Sequence, residues 1–146
     1  MQIKEFASKY KLKKDAVRYY EKEGLIEPTR LANGYRIYDE TCEKSIKYIL
    51  VLKQLGFSLQ EIQALLNLEK RPPSSECNAM SVTLFKNKVS YLESKIDFYT
   101  TAIKSLQIVH DLMEHEKYVE NKDKVYSLVE EMYRKIEEGD EHNVTS

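Results

Sequence analysis

Two clusters of cationic and phenolic side chains stand close together near the start of the chain. The first lies in and just before Val17-Arg18-Tyr19-Tyr20-Glu21-Lys22-Glu23-Gly24-Leu25-Ile26, and contributes Lys13, Lys14, Arg18 and Tyr19. The second spans Thr29-Arg30 and Asn33-Gly34-Tyr35-Arg36-Ile37-Tyr38, and contributes Arg30, Tyr35, Arg36 and Tyr38. Ammonium and guanidinium groups with phenols bind phosphate oxygens and base edges, so this pattern suits a grip on double-stranded DNA at two points. Adjacent residues on a helix are about 100° apart, so Tyr19 and Tyr20 cannot share a face. Tyr19 is assigned to phosphate contact and Tyr20 to the core. Arg36 and Tyr38 alternate with Ile37, and an inward Ile37 predicts that both face outward, positioning the protein on the backbone.

Other chemistries have little support. A Gly-rich phosphate loop, paired histidines with a carboxylate at metal spacing, and a nucleophile beside a base are all missing from the sequence, so neither an enzyme nor a cofactor is expected. Two cysteines, Cys42 and Cys77, make no disulfide framework, and Cys42 reads as a small packing residue. Tyr91, Tyr99, Tyr118, Tyr126 and Tyr133 could line a pocket for a small organic effector, or simply build a core.

These residues need elements to hold them. Ile3, Phe6, Ala7 and Tyr10 recur at helical spacing, and a second helix is predicted from about Lys13 to Glu23, stopped by Gly24. Together they suggest a helix-turn-helix. Asn33-Gly34 between Thr29-Arg30-Leu31 and Tyr35-Arg36-Ile37-Tyr38 signals a hairpin, because both residues tolerate positive φ. That hairpin would be a wing. Asp39 or Thr41 can cap a third helix with Ile46, Ile49, Leu50, Leu52 and Leu55 inward, closed by Gly56. Ser58-Leu59-Gln60-Glu61 is a capping box opening a fourth helix with Ile62, Leu65 and Leu66.

Arg71-Pro72-Pro73-Ser74-Ser75 breaks the pattern. Beyond it Val82, Phe85, Val89, Leu92, Ile96, Tyr99, Ile103, Leu106, His110 and Met113 alternate in steps of three and four, the seam of a two-helix coiled coil. The expected partner is the same helix of a second chain. Val125, Leu128, Val129, Met132, Tyr133 and Ile136 predict a shorter last helix. The fold class is therefore mostly α. Residues 1–70 form a winged helix-turn-helix domain, 71–75 a linker, 76–115 a coiled-coil dimerisation helix and 116–138 a short helix packed on the dimer. The tail, 139–146, is expected to be disordered.

Charge follows the same division. Residues 1–71 hold 14 Lys and Arg against 10 Asp and Glu, whereas 72–146 hold 9 against 14. The basic end is where a polyanion would bind. No apolar run reaches the ~18 residues of a membrane span, and no signal peptide opens the chain, which makes the cytoplasm the expected compartment and a membrane an unexpected partner. The heptads alone would also suit a coiled-coil adaptor, but the helix-turn-helix and wing argue against it.

Arg18-Tyr19-Tyr20-Glu21, Gly24-Leu25-Ile26, Asn33-Gly34-Tyr35-Arg36-Ile37-Tyr38 and Leu55-Gly56-Phe57-Ser58-Leu59-Gln60-Glu61-Ile62 together resemble the MerR family of bacterial transcription regulators. The resemblance covers about residues 1–70, and the long helix is similar to the family's antiparallel dimerisation helix. It implies a homodimer on a pseudo-palindromic promoter element, a C-terminal effector region, and distortion of the DNA that realigns the contacts of RNA polymerase. Lys13, Lys14, Asp15 and Ala16 depart from the family's Ser/Thr-rich entry to the second helix, which bears on the operator sequence. An antiparallel pair would also bring Cys77 near His110 or His115 of the partner, where one thiolate and two imidazoles could bind a metal ion. The family's metal sensors place a cysteine pair near the helix end, and Val109-His110-Asp111-Leu112-Met113-Glu114-His115 has none. His110 is otherwise a register-setting seam residue.

Overall fold

The computed structural model describes residues 1–72 and 74–144, leaving out the side chains of Ser75, Cys77 and residues 140–144. It divides into two compact units, Met1–Ser74 and Ser75–Ser146.

In the first unit α1 (Ile3–Lys9) and α2 (Lys14–Lys22) meet through Phe6, Ala7, Val17 and Tyr20, all buried. The turn between them is closed at Lys11, which adopts φ 54° while Leu12 N donates to Ala7 O at 2.8 Å. A left-handed residue other than glycine costs about 1–2 kcal/mol, so it persists because the packing on both sides dictates it. Gly24, at φ 72°, ends α2 without that cost, and Leu25 N reaches back to Tyr20 O at 2.8 Å. The wing follows as β1 (Thr29–Arg30) and β2 (Arg36–Ile37), antiparallel, with Thr29 opposite Ile37 and Arg30 opposite Arg36.

Asp39, not Thr41, caps α3 (Glu40–Gln54): its carboxylate accepts from Cys42 N at 3.1 Å. Ser58 and Glu61 form the reciprocal capping box that opens α4 (Leu59–Glu69). Ile46, Ile49, Leu52, Ile62 and Leu65 join the helices in one core, whereas Leu50, Leu55 and Leu66 are only half-buried. Cys42 is enclosed in that core, and burial pushes its thiol pKa up.

Tyr38 corrects the sequence reading. Its side chain is fully buried, stacked on Phe6 with ring centroids 4.8 Å apart. Strand β2 ends at Ile37, so the alternation that would have turned Tyr38 outward stops one residue too early. Met1 and Tyr38 then exchange two backbone hydrogen bonds, Tyr38 N to Met1 O at 2.8 Å and Met1 N to Tyr38 O at 2.9 Å.

The second unit is a helical hairpin. Helix α5 (Ser75–Glu114) runs for 40 residues, a turn passes through Glu116 at φ 57°, a 3-10 turn covers Val119–Asn121, and α6 (Lys122–Val144) returns along α5. Lys135 Nζ donates to Asp97 Oδ2 at 2.6 Å, which sets the antiparallel register. Thus α5 has a partner within its own chain, and α6 packs on it. Helix α6 also continues past residue 138, and residues 139–144 are helical where a disordered tail was expected; residues 145 and 146 lie outside the described residues. The physical reason is tertiary: Val125, Leu128 and Met132 pack α6 along α5, and that packing offsets the ~1 kcal/mol that Gly139 costs the helix where it passes an open gap beside Tyr91, Ser94 and Phe98. The seam residues Val82, Val89, Ile96, Tyr99, Ile103, Leu106, His110 and Met113 stay exposed, and Leu92 is half-buried.

Candidate nucleic-acid interface

Helix α2 presents one apolar and one cationic face. Val17 and Tyr20 point inward, and Lys53 Nζ donates to the Tyr20 hydroxyl at 3.1 Å, tying α2 to α3. Lys13, Lys14, Arg18 and Tyr19 are exposed on the other side. Tyr20 is buried and Tyr19 exposed, the opposite faces that their ~100° separation requires. Among the described residues Arg18 meets Asp15, at 3.6 Å, and both side chains are so exposed that this pair restrains the guanidinium little.

The wing is a hairpin with a short tip. Leu31 N donates to Tyr35 O at 2.9 Å, Asn33 Oδ1 accepts from Tyr35 N at 3.1 Å, and Gly34 at φ 83° supplies the left-handed turn. Leu31 and Tyr35 are exposed at that tip. Arg30 and Arg36 sit directly opposite one another, an arrangement of like charges that destabilises a strand pair unless an anion intervenes.

Glu21 of α2 is that anion, and the sequence reading missed it. Its Oε1 accepts from Arg36 Nε at 2.7 Å and lies 3.6 Å from an Arg30 terminal nitrogen, while its Oε2 is 3.5 Å from the Tyr38 hydroxyl. Glu21 raises the pKa of Arg36, and burial, followed by the Glu21 charge, raises that of Tyr38. The facing arginines follow from the hairpin register, so a nearby carboxylate could have been sought among the sequence neighbours of the second helix. Glu21 thus links the wing arginines to the helix that carries Lys13, Lys14, Arg18 and Tyr19.

Comparison with known proteins places the chain in a family. The profile described as MerR HTH family regulatory protein matches residues 1–69, and that described as MerR, DNA binding matches residues 44–108. The HTH-type transcriptional regulator ZntR of Escherichia coli is 32% identical over 110 residues, covering 75% of this chain and 77% of that protein. The chain belongs to the MerR family. A probable heavy metal-dependent transcriptional regulator of Haemophilus influenzae is 35% identical over 112 residues, 76% of this chain and 86% of its own length. The mercuric resistance operon regulatory protein of Bacillus cereus is 34% identical over 96 residues, 65% of this chain and 71% of its own. A crystal structure of a MerR-family transcriptional regulator from Bacillus cereus shares the fold, with a TM-score of 0.61 at 22% identity over 90% of this chain and 97% of that one. This chain is thus a MerR-family DNA-binding transcription regulator, and no described helix is long and apolar enough to cross a membrane.

The candidate metal ligands are distributed unevenly in the MerR-type second unit. His110 Nδ1 lies 3.2 Å from Asp111 Oδ1 and 3.9 Å from Glu114 Oε2, all three exposed. His115 Nδ1 instead approaches the Asp111 carbonyl at 2.8 Å, closing the end of α5. The Cys77 side chain lies outside the described residues.

Proposed function

We propose that this regulator binds a pseudo-palindromic promoter element as a homodimer, with α2 in the major groove and the wing on the neighbouring backbone, and alters promoter geometry for RNA polymerase in response to a signal. The observation that carries the reading is the linkage of two cationic surfaces through Glu21: Lys13, Lys14, Arg18 and Tyr19 on α2, and Arg30, Tyr35 and Arg36 on the wing. A helix offering one arginine and two lysines at its N-terminal end suits base readout, and strand arginines suit phosphates. Arg18→Ala is expected to weaken operator binding by about 1–3 kcal/mol, whereas Arg36→Ala weakens operator and random duplex alike. Titrations of both variants across a salt series test this. Unchanged affinities would sink the assignment.

The names of two relatives favour a second reading for the signal, a heavy metal. The donors of this chain do not fit a soft-metal site. Cys42 is buried, leaving Cys77 as the one candidate thiolate per chain, and the described cluster His110, Asp111 and Glu114 is an exposed imidazole with hard carboxylates. In an antiparallel pair centred on the seam, the two Cys77 residues stand roughly 60 Å apart at 1.5 Å per residue, too far to share an ion. An organic effector is therefore the preferred signal. Transcription from the operator is expected to show no Cys77-dependent response to Zn²⁺, Cu⁺ or Hg²⁺, and a response abolished by Cys77→Ser would reverse that preference.

A further inference from the structure

The apolar stripe on α5 has a twin on α6. Tyr126, Val129, Tyr133 and Ile136 are exposed at heptad spacing, although the neighbouring stripe of the same helix, Val125, Leu128 and Met132, is half-buried against α5. On each helix the exposed stripe follows the packed one by about one residue, a turn of about 100° in the chain's direction. Because α5 and α6 run antiparallel, that turn is clockwise on one and anticlockwise on the other when both are viewed from the same end. Stripes that begin by facing each other therefore swing to the same side of the hairpin.

The register makes the two stripes a single surface. Carrying the Asp97–Lys135 pairing along the helices sets Ile96 across from Ile136, Tyr99 from Tyr133, and Leu106 from Tyr126, all between 45% and 66% exposed. Ile103 and Val129 fill the remaining rung. Glu130, by a side-chain interaction and its charge, raises the pKa of Tyr126, and Glu137, first by its charge, raises that of Tyr133, so each phenol has a carboxylate one turn further along its own helix. Each ring can be covered while its hydroxyl turns toward that neighbouring carboxylate.

We infer that a second copy of this chain covers both helices, so that α6 packs on the partner's α6 just as α5 packs on the partner's α5. This rests on the homodimer reading above and deepens it. At roughly 100 Å² per side chain, scaled from what a buried aromatic covers, the eight residues offer about 800 Å², the share one partner gives to a standard stable interface. Pairing through α5 alone would leave about half of this shared face in water, and monomers rarely expose patches of that size. The centres agree as well: the α5 seam from Val89 to Leu106 is centred between residues 97 and 98, and the α6 stripe is centred opposite a point within one turn of it. A two-fold axis lying in the face and across the helices then brings Tyr133 closest to its own copy.

The test combines two variants of the full-length chain. Val129→Glu with Tyr133→Glu alters only exposed positions, so helicity by circular dichroism should be unchanged, while the dimer dissociation constant measured by sedimentation rises about thirtyfold or more. In a Cys77→Ser background, Tyr133→Cys should give a symmetric cross-linked dimer with a short bis-maleimide, and Tyr126→Cys should give much less. A wild-type dimer that the double variant leaves unchanged, or one that Tyr133→Cys fails to cross-link, overturns the α6 interface and leaves the dimeric regulator standing. A wild-type chain that is monomeric at micromolar concentration overturns both.

Discussion

Glu21 holds two arginines and a phenol on one carboxylate, and its removal has two opposed consequences for DNA binding. The wing loses the strut that fixes it to α2, while Arg30 and Arg36 are released from their anion. Glu21→Ala is expected to weaken the specific operator about tenfold but to leave random duplex bound as tightly or more tightly, with a salt slope steeper by at most about one, because one negative charge beside the phosphate-binding arginines is removed. Parallel titrations on the two duplexes would show it, and equal losses on both would refute the strut. Carboxylates also set the acid limit of the first unit. The Cys42 backbone N–H lowers the pKa of Asp39, and Lys9 lowers that of Glu43. A depressed carboxylate pKa gives stability that is complete above the ordinary range, about pH 4–4.5. That stability disappears as pH falls through the folded-state values. Denaturant midpoints measured from pH 7 to pH 3 should therefore fall chiefly below pH 4.5, and Asp39→Asn should flatten the fall.

At the scale of elements, the caps were legible and the ends of packed helices were not. Ser58 with Glu61, Gly24 and Gly56 act where their local chemistry says they should, because a cap satisfies groups within four residues of itself. Gly139 misled for the converse reason: nothing within its own stretch shows that α5 lies alongside. A Cβ built at Gly139 meets nothing within 4 Å, and its backbone is helical. Gly139→Ala should accordingly stabilise the hairpin by about 0.5–1 kcal/mol through lower unfolded-state entropy. A thermal or denaturant midpoint that falls instead would place Gly139 in a role other than helix continuation.

For the whole molecule, the informative contrast is between core and exposed seam. Val17 and Ile96 are both apolar residues at helical spacing, but Val17 is fully buried in the chain and Ile96 is 65% exposed. Ile96→Asp should thus leave each chain folded while placing an unpaired charge in the dimer, an arrangement that costs several kcal/mol. Sedimentation should report a folded monomer, and operator affinity should fall steeply, since one half-site supplies only part of the contacts. A dimer of wild-type strength would remove the seam from the interface.

The sequence by itself determined the order of elements, the caps, the wing turn, the cationic face of α2 and the heptad seam, because each depends on residues within a few positions of one another. Four blocks in the right order and spacing were enough for the family. Only the tertiary structure decided that Tyr38 is core, that Glu21 couples wing to helix, and that α6 folds back on α5 beyond Gly139. Each of these depends on contacts between residues 9 to 48 positions apart. The two-period alternation of a strand says nothing about where the strand ends, and a carboxylate is read as solvated until the arginines that surround it are brought together by the fold.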